Sequence, residues 1–113
     1  MAAWSAQVFK ECDLLVTPTV PYDPPPAKGP FPPETEGRTQ PFASVATFTI
    51  PFNMSWQPAA TVRAGLSRAG LPVGMQIVGP LQREDVVLRA ARAFERERPW
   101  HPLWPLRGEV MGG

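Results

Sequence analysis

Nucleophilic and basic side chains are present in this chain of 113 residues, but none has the neighbours that would activate it. None of the four serines, at positions 5, 44, 55 and 67, lies in the Gly-x-Ser-x-Gly turn that presents a hydrolase nucleophile. The single cysteine, Cys12, closes an apolar helical pattern, which favours an unreactive buried thiol. The single histidine, His101, lies close to two prolines, and we expect it at the surface. Neither Lys10 nor Lys28 has the Ser-x-x-Lys spacing of a lysine base. The residues alone therefore predict no catalytic set.

Metal-ion, cofactor and nucleic-acid sites are not indicated either. One cysteine and one histidine cannot complete a zinc site, and the chain has no glycine-rich phosphate loop. Eleven Lys and Arg against ten Asp and Glu give a net charge of +1, without the clustered positive charge that nucleic-acid binding requires. We expect no metal, no cofactor and no nucleic-acid partner.

Composition also bounds the size and location of the protein. At 113 residues the chain has the length of one small domain. No apolar run approaches the ~20 residues that span a bilayer, and the first residues lack the apolar segment of a signal peptide. A single cysteine cannot form an internal disulfide, so a reducing cytoplasmic setting is expected, with no membrane partner.

Proline is the unusual feature of the composition. It makes up 16 of the 113 residues, about three times its usual share of ~5%. Eight of them fall within residues 18–33, and no helix or central strand can cross such a stretch, because each proline fixes φ and removes a backbone donor. We predict an irregular loop over residues 18–41. Its P-x-x-P sequences fit SH3 or WW grooves, although any proline-dense loop contains them. Loops of this length usually have a function or lie over a surface supplied by another body.

The elements on either side must position any site. Trp4, Val8 and Cys12 recur at helical spacing and predict a helix over residues 2–12. The short apolar run at residues 13–17 ends at a proline and predicts a buried strand. After the loop, helical spacing over residues 41–52 predicts a second helix, limited by Pro51.

A hairpin and a last helix are predicted next. Alternating residues 58–64 and 71–79 flank a glycine-bracketed turn and predict a β-hairpin, in which Gly74 and Gly79 indicate a close approach or a bulge. The stripe Val87, Ala91 and Phe94, with Leu88 alongside, predicts a helix over residues 84–98, in which Asp85 is placed to pair with Arg89. Residues 42–98 thus hold a helix, a hairpin and a helix, and residues 99–113 an irregular tail. The expected fold is one partial α/β domain, a short mixed sheet with a β-hairpin and two to three helices.

Several motifs, in order, resemble the C-terminal part of amidase-signature enzymes. Residues 13–19, Asp-Leu-Leu-Val-Thr-Pro-Thr, resemble the family's strand ending in Pro-Thr. Thr49, Pro51 and Asn53 follow, and then residues 57–62, Gln-Pro-Ala-Ala-Thr-Val. The strongest match is residues 70–80, Gly-Leu-Pro-Val-Gly-Met-Gln-Ile-Val-Gly-Pro. The resemblance extends from residue 13 to about residue 102 and implies the C-terminal fragment of the amidase-signature fold.

The resemblance implies an enzyme that hydrolyses amides with a Ser–cis-Ser–Lys triad and an oxyanion site of backbone N–H groups. A lysine kept neutral by desolvation can act as the base through the bridging serine. The resemblance places all of those residues upstream of the segment matched here. The chain is therefore expected to be inactive alone, and to supply scaffold and part of the pocket for a small amide substrate. The candidate pocket residues are Asn53, Trp56, Gln57 and Gln76.

Three positions depart from patterns of the family. Trp56 stands where the family usually has Gly, and Arg63 where it usually has Pro, so we expect a reshaped pocket wall. Ala46 stands where the glutamyl-tRNA amidotransferase A subunits have an aspartate that holds glutamine. This favours a general amidase over that subfamily.

Two functions remain open: the C-terminal portion of an amidase-type hydrolase, or a free-standing non-catalytic assembly or binding module with the same fold. A Gly-Gly-Ser-Ser-Gly-Gly-type loop encoded in frame upstream of Met1 would favour the first.

In both cases the strand at residues 13–17, the hairpin and the first helix would present open edges and apolar side chains. We expect them to pack against the missing N-terminal amidase region or in a symmetric homo-oligomer. The other possibility is a monomer whose proline-rich loop covers the open edge.

Overall fold

The computed structural model describes residues 2–28, 34–35, 38–39 and 47–100. Its elements in chain order are α1 (Ala2–Glu11), β1 (Leu15–Pro18), β2 (Glu34–Thr35), β3 (Arg38–Thr39), α2 (Ile50–Ser55), β4 (Ala59–Leu66), β5 (Pro72–Val78) and α3 (Glu84–Glu97). The predicted α/β class is confirmed. No helix in the described segments is long and apolar enough to cross a membrane.

A three-stranded sheet in the order β1-β5-β4 organises the fold, and both of its pairings are antiparallel, where a mixed sheet was predicted. The prediction of a buried strand at residues 13–17 was wrong, because β1 is an edge of the described sheet and Val16 is 55% exposed. Ile77 on the central strand lies opposite Val16 of β1 and Ala60 of β4, so these three residues share one face. Helix α3 packs against β4 and β5. The buried apolar core consists of Phe52, Ile77, Val78 and Val87. The buried core residues therefore come from α2, the end of β5 and α3.

The hairpin β4–β5 is confirmed, with one irregularity that the sequence did not locate. A register shift between Arg63 and Gly65 inserts a bulge into β4, which continues to Leu66. The turn is closed by two backbone bonds, from Ser67 N to Leu71 O at 2.8 Å and from Gly70 N to Ser67 O at 3.0 Å.

Close backbone approach at two strand glycines is also confirmed. A Cβ at Gly79 would lie 2.6 Å from Cγ2 of Val87, and a Cβ at Gly74 would lie 2.9 Å from Oγ1 of Thr19. The first contact lets α3 pack directly on the end of β5. Both positions exclude a side chain because the neighbouring element occupies its space.

Helix α2 differs from its prediction. Residues 41–46 lie outside the described part of the chain, residues 47–49 form a turn, and the helix begins at Ile50. Pro51 was expected to limit the helix but lies in its first turn. The reason is that the first helical N–H groups have no intrahelical acceptor, so proline loses nothing there. The Thr49 carbonyl accepts the first bonds, from Phe52 N at 3.2 Å and Asn53 N at 3.3 Å.

The two longer helices lie where the sequence patterns predict them, but several side chains differ. On α1 Trp4 is 49% exposed, and Cys12, expected to be buried, lies just beyond the helix and is only partly buried.

Two further differences lie on α3. Leu88, placed beside the apolar stripe, is 64% exposed. Asp85 pairs with Arg83 and not with Arg89: Arg83 Nε lies 3.0 Å from Asp85 Oδ1, and Nη2 lies 3.2 Å from Oδ2. Hydrogen bonding to Arg83 holds the pKa of the Asp85 carboxyl below its usual value. Arg83, just before the helix, is favoured over Arg89 as the partner of Asp85 because it reaches both carboxylate oxygens.

The described part of the predicted loop over residues 18–41 contains a short pairing. Glu34 lies opposite Thr39 and Thr35 opposite Arg38, in the antiparallel pair β2–β3. Residues 34–39 contain no proline, which removes the obstacle to pairing. The predictions made for Ser44, Ala46, His101 and the tail beyond residue 100 lie outside the described residues.

Candidate functional site

Gln57 follows α2 directly and lies in a buried network of polar side chains. Its Nε2 donates to Ser5 Oγ on α1 at 2.9 Å, and its Oε1 accepts a hydrogen bond from the Ser55 hydroxyl. All three side chains are buried. The ring centroids of Trp4 and Phe52 lie 6.3 Å apart and complete the contact between the two helices. The structure therefore places this pocket candidate in the α1–α2 interface.

Gln76, on the central strand, forms a second and separate network. Its Nε2 donates to Phe48 O at 2.7 Å and to Thr17 Oγ1 at 3.0 Å. The Thr17 hydroxyl in turn donates to Pro18 O at 2.9 Å. One side-chain amide thus ties β5 to β1 and to the turn before α2.

Asn53 and Trp56, the other two candidates, are exposed at the surface of α2 and at its end. Trp56 is 84% exposed and has φ 67° and ψ 16°, in the left-handed region that favours glycine. Its N–H still closes the helix by donating to Phe52 O at 3.0 Å. Glycine commonly takes the left-handed position at a helix end, which agrees with the glycine that the family resemblance implies at this position.

The four candidates are thus not gathered into one site. Gln57 and Gln76 belong to different networks, and Asn53 and Trp56 face outwards. Sequence reasoning missed Ser5, Ser55 and Thr17, the partners that fix the two glutamines. The only local signal was the spacing of Ser55 and Gln57, because the other partners are 52 and 59 residues away along the chain.

Possible nucleophiles in the described part of the chain are occupied by structural bonds. The hydroxyls of Ser5 and Ser55 bond to Gln57, and Ser67 Oγ accepts from Leu71 N at 3.3 Å. The Cys12 thiol donates to Val8 O at 3.4 Å, one helical turn earlier. Both lysines are exposed. Within the described ranges no three His, Cys, Asp or Glu side chains come together.

The clefts that flank the sheet in the described part of the chain include three that are lined in part by strand residues. The proline-loop cleft, of about 420 Å³, has a lining that includes Pro18, Val20, Tyr22, Asp23, Phe48 and Val73. An apolar groove of about 300 Å³ runs over Val16, Ala64 and Met75. A third cleft of about 270 Å³ lies between Arg63, Glu95 and Trp100. In this third cleft Arg63 Nε is buried without a hydrogen-bond partner among the described residues.

Comparison with known proteins identifies the family. Residues 1–88 match the family model described as Amidase. The chain is 41% identical over 98 residues to 6-aminohexanoate-cyclic-dimer hydrolase of Paenarthrobacter ureafaciens, covering 78% of this chain and 19% of that protein. It is 41% identical over 95 residues to the glutamyl-tRNA(Gln) amidotransferase A subunit of Geotalea daltonii, covering 84% of this chain and 19% of that protein.

A solved structure gives the same result. The fold superposes on a bacterial aryl acylamidase of the amidase signature enzymes with a TM-score of 0.79 and 34% identity, over 93% of this chain and 23% of that one. The chain therefore spans about a fifth of the length of the curated relatives it matches. Its ordered motifs, its hairpin and both comparisons agree that the chain belongs to the amidase-signature family.

Proposed function

We propose that this chain is the C-terminal portion of an amide hydrolase and supplies scaffold and part of the substrate pocket, without the catalytic residues. The observation that carries the proposal is the aryl acylamidase match, in which 93% of this chain corresponds to 23% of that enzyme. A segment of that size within a larger enzyme is expected to hold the pocket in shape more than to act alone. The proposed substrate is a small amide.

The bonding of the described side chains supports a non-catalytic role. A serine nucleophile needs a base within hydrogen-bond reach, at about 2.6–3.2 Å. Here Ser5 and Ser55 bond to the neutral amide of Gln57, and the exposed Lys10 and Lys28 form no such pair. In the proposed enzyme a Ser–Ser–Lys triad on another part of the protein performs the hydrolysis. The two glutamine networks then hold α1, α2 and β1 in fixed positions relative to the hairpin.

Exposed apolar surface supports the proposal that this segment packs against another body. Val16 on the sheet is 55% exposed and Met54 on α2 is 65% exposed. In the described part of the chain β1 and β4 are the edges of the sheet, and open edges favour pairing. We propose that the N-terminal amidase region covers these surfaces, and that the isolated chain self-associates through them. A cytoplasmic location is proposed from the single cysteine, Cys12.

A segment exchange tests the proposal. The matching segment of the Paenarthrobacter ureafaciens hydrolase is replaced by this chain, and hydrolysis of the 6-aminohexanoate cyclic dimer is measured. We expect a folded chimera with activity well above background, which is lost when the host's nucleophilic serine is changed to alanine. The matched control carries the equivalent segment of the Geotalea daltonii amidotransferase. A folded but inactive chimera, beside an active control, would favour the non-catalytic module.

A further inference from the structure

The proline-loop cleft has the size and walls of a small-molecule site. Its volume of about 420 Å³ falls within the ~300–1,000 Å³ typical of ligand pockets. Pro18, Val20 and Val73 contribute apolar walls from β1, the loop and β5. Apolar walls with a few polar groups are what such pockets use to bind and orient a ligand.

Three hydrogen bonds hold part of the cleft wall in place, and two of them join it to the central strand. Gln76 Nε2 binds the carbonyl of Phe48, and the Thr17 hydroxyl binds the carbonyl of Pro18. Thr19 N donates to Gly74 O at 3.2 Å and fixes the start of the loop against β5. These bonds fix the parts of the cleft formed by Pro18, the start of the loop and Phe48, which lowers the entropic cost of binding there.

Its polar and aromatic groups select for positive charge. Asp23 is the only carboxylate among the described lining residues, and no lysine or arginine lines the cleft there. Two aromatic residues, Tyr22 and Phe48, also belong to the lining. A carboxylate next to aromatic rings attracts an organic cation through ion pairing and cation–π contact, and disfavours an anion.

We propose that the proline-loop cleft binds an organic ammonium ion, with the charged group near Asp23 and an apolar or aromatic body against Phe48 and Val73. Tyr22 lies beside Asp23 and contributes its ring. The site is distinct from the four pocket candidates and does not depend on amide hydrolysis. If the chain also serves in an amide hydrolase, the same cleft would favour amides that carry a protonated amine.

The test is a titration of the full chain with phenethylammonium chloride, followed by amide chemical shifts in NMR. The neutral probe 2-phenylethanol carries a hydroxyl in place of the ammonium group on the same carbon skeleton and has no charge. We expect saturable shifts at Val20, Tyr22 and Val73, and affinity for the ammonium about fivefold or more above that for the alcohol. Asp23→Asn should remove this preference and leave the alcohol's affinity unchanged.

Two further variants complete the test. Asp13→Asn changes an exposed carboxylate between α1 and β1, outside the cleft lining, and should leave binding unchanged. Phe48→Leu should weaken binding of both probes because it removes the aromatic ring. The fold should be kept, since the backbone carbonyl and its bond to Gln76 are retained. The proposal is overturned if Asp23→Asn binds the ammonium as tightly as the parent chain, if the alcohol binds equally well, or if no shifts occur at the cleft residues.

Discussion

Gln76, in the central strand, donates its side-chain amide to the main-chain carbonyl of Phe48, with nitrogen and oxygen 2.7 Å apart and the residues 28 positions apart in the chain. The same nitrogen donates to Thr17 Oγ1 at 3.0 Å. Gln76 is only 4% exposed, so water cannot easily replace either bond. This one side chain therefore joins three separate parts of the sequence at the wall of the proline-loop cleft.

Removing that amide is expected to destabilise the fold. Gln76→Leu leaves two acceptors without their donor and should lower the free energy of unfolding by about 1–3 kcal/mol, measured by urea denaturation. Gln7→Leu changes an exposed glutamine on α1 and is the control. Equal stability of the two variants would contradict the structural role of Gln76.

The same position gives a pH-dependent prediction. In Gln76→Glu a carboxyl group faces two acceptor oxygens, which favours its protonated form and raises its pKa in the folded state. The folded state then binds more protons than the unfolded state, so stability is retained below the unfolded pKa and falls as pH rises through the folded pKa. We expect the deficit of Gln76→Glu against the parent chain to be smaller at pH 4 than at pH 7. A deficit that is the same at both values would contradict the orientation of the amide nitrogen.

The left-handed conformation of Trp56 predicts that glycine is favoured there. The left-handed conformation destabilises the folded state by about 1–2 kcal/mol for a residue with a Cβ. Trp56 is so exposed that burial of its side chain offsets little of this cost. Trp56→Gly should therefore unfold at higher urea concentration than Trp56→Ala, by roughly 0.5–1 kcal/mol in stability. The alanine variant controls for loss of the indole. An alanine variant at least as stable as the glycine variant would show that φ at this position is not constrained.

The backbone at Arg63 faces away from the hairpin partner. Gly79 N bonds to Pro58 O at 3.0 Å and Thr19 N bonds to Gly74 O at 3.2 Å. The first bond makes Pro58 and Gly79 a hydrogen-bonded pair, and bonded and non-bonded pairs alternate along an antiparallel ladder, so Arg63 and Gly74 form a non-bonded pair. The second bond agrees, because it turns the Gly74 carbonyl towards Thr19 and away from β4. The N–H of Arg63 therefore points away from β5, at what is the edge of the described sheet.

Proline should be tolerated at this position. We expect Arg63→Pro to cost less than ~1 kcal/mol in urea unfolding, because no ladder bond is lost. Val62→Pro is the control, since the alternation gives Val62 a ladder bond to Met75. It should cost at least about 2 kcal/mol more. A loss of several kcal/mol in Arg63→Pro would show that the outer side of β4 is paired.

Self-association of the isolated chain follows from its exposed edges and apolar residues. Trp4 on α1 is half exposed, and Val16 and Met54 are more so, while β1 and β4 are edges of the described sheet. We expect sedimentation equilibrium over a hundredfold concentration range to give a dimer. A single ideal species at the monomer mass throughout would contradict it.

Local patterns were enough to predict most of the secondary structure. The 3.6-residue period of Val87, Ala91 and Phe94 and the alternation around the hairpin turn are properties of neighbouring residues. The small size required at Gly79 was also visible, because a glycine within or ending a strand often marks a close backbone approach. The start of α2 was not predictable, since Pro51 is compatible with either end of a helix.

The candidate site was less predictable because its contacts are distant in sequence. The resemblance selected Gln57 and Gln76, but the partners that bury them are Ser5 and Thr17, on α1 and β1. No local period links such residues. The proline-loop cleft was hidden for the same reason, since Tyr22 and Phe48 come together only when Gln76 ties the two segments to one strand.

The most direct test of the central claim is an amide-hydrolysis assay of the purified chain on its own. Because the described serines and Cys12 are held in structural bonds, we expect the isolated chain to release amine no faster than buffer alone. A chain inactivated by heat is the matched control. Hydrolysis above the buffer rate that disappears in Ser44→Ala, Ser55→Ala or Cys12→Ala would contradict the claim that catalysis needs residues from another part of the enzyme.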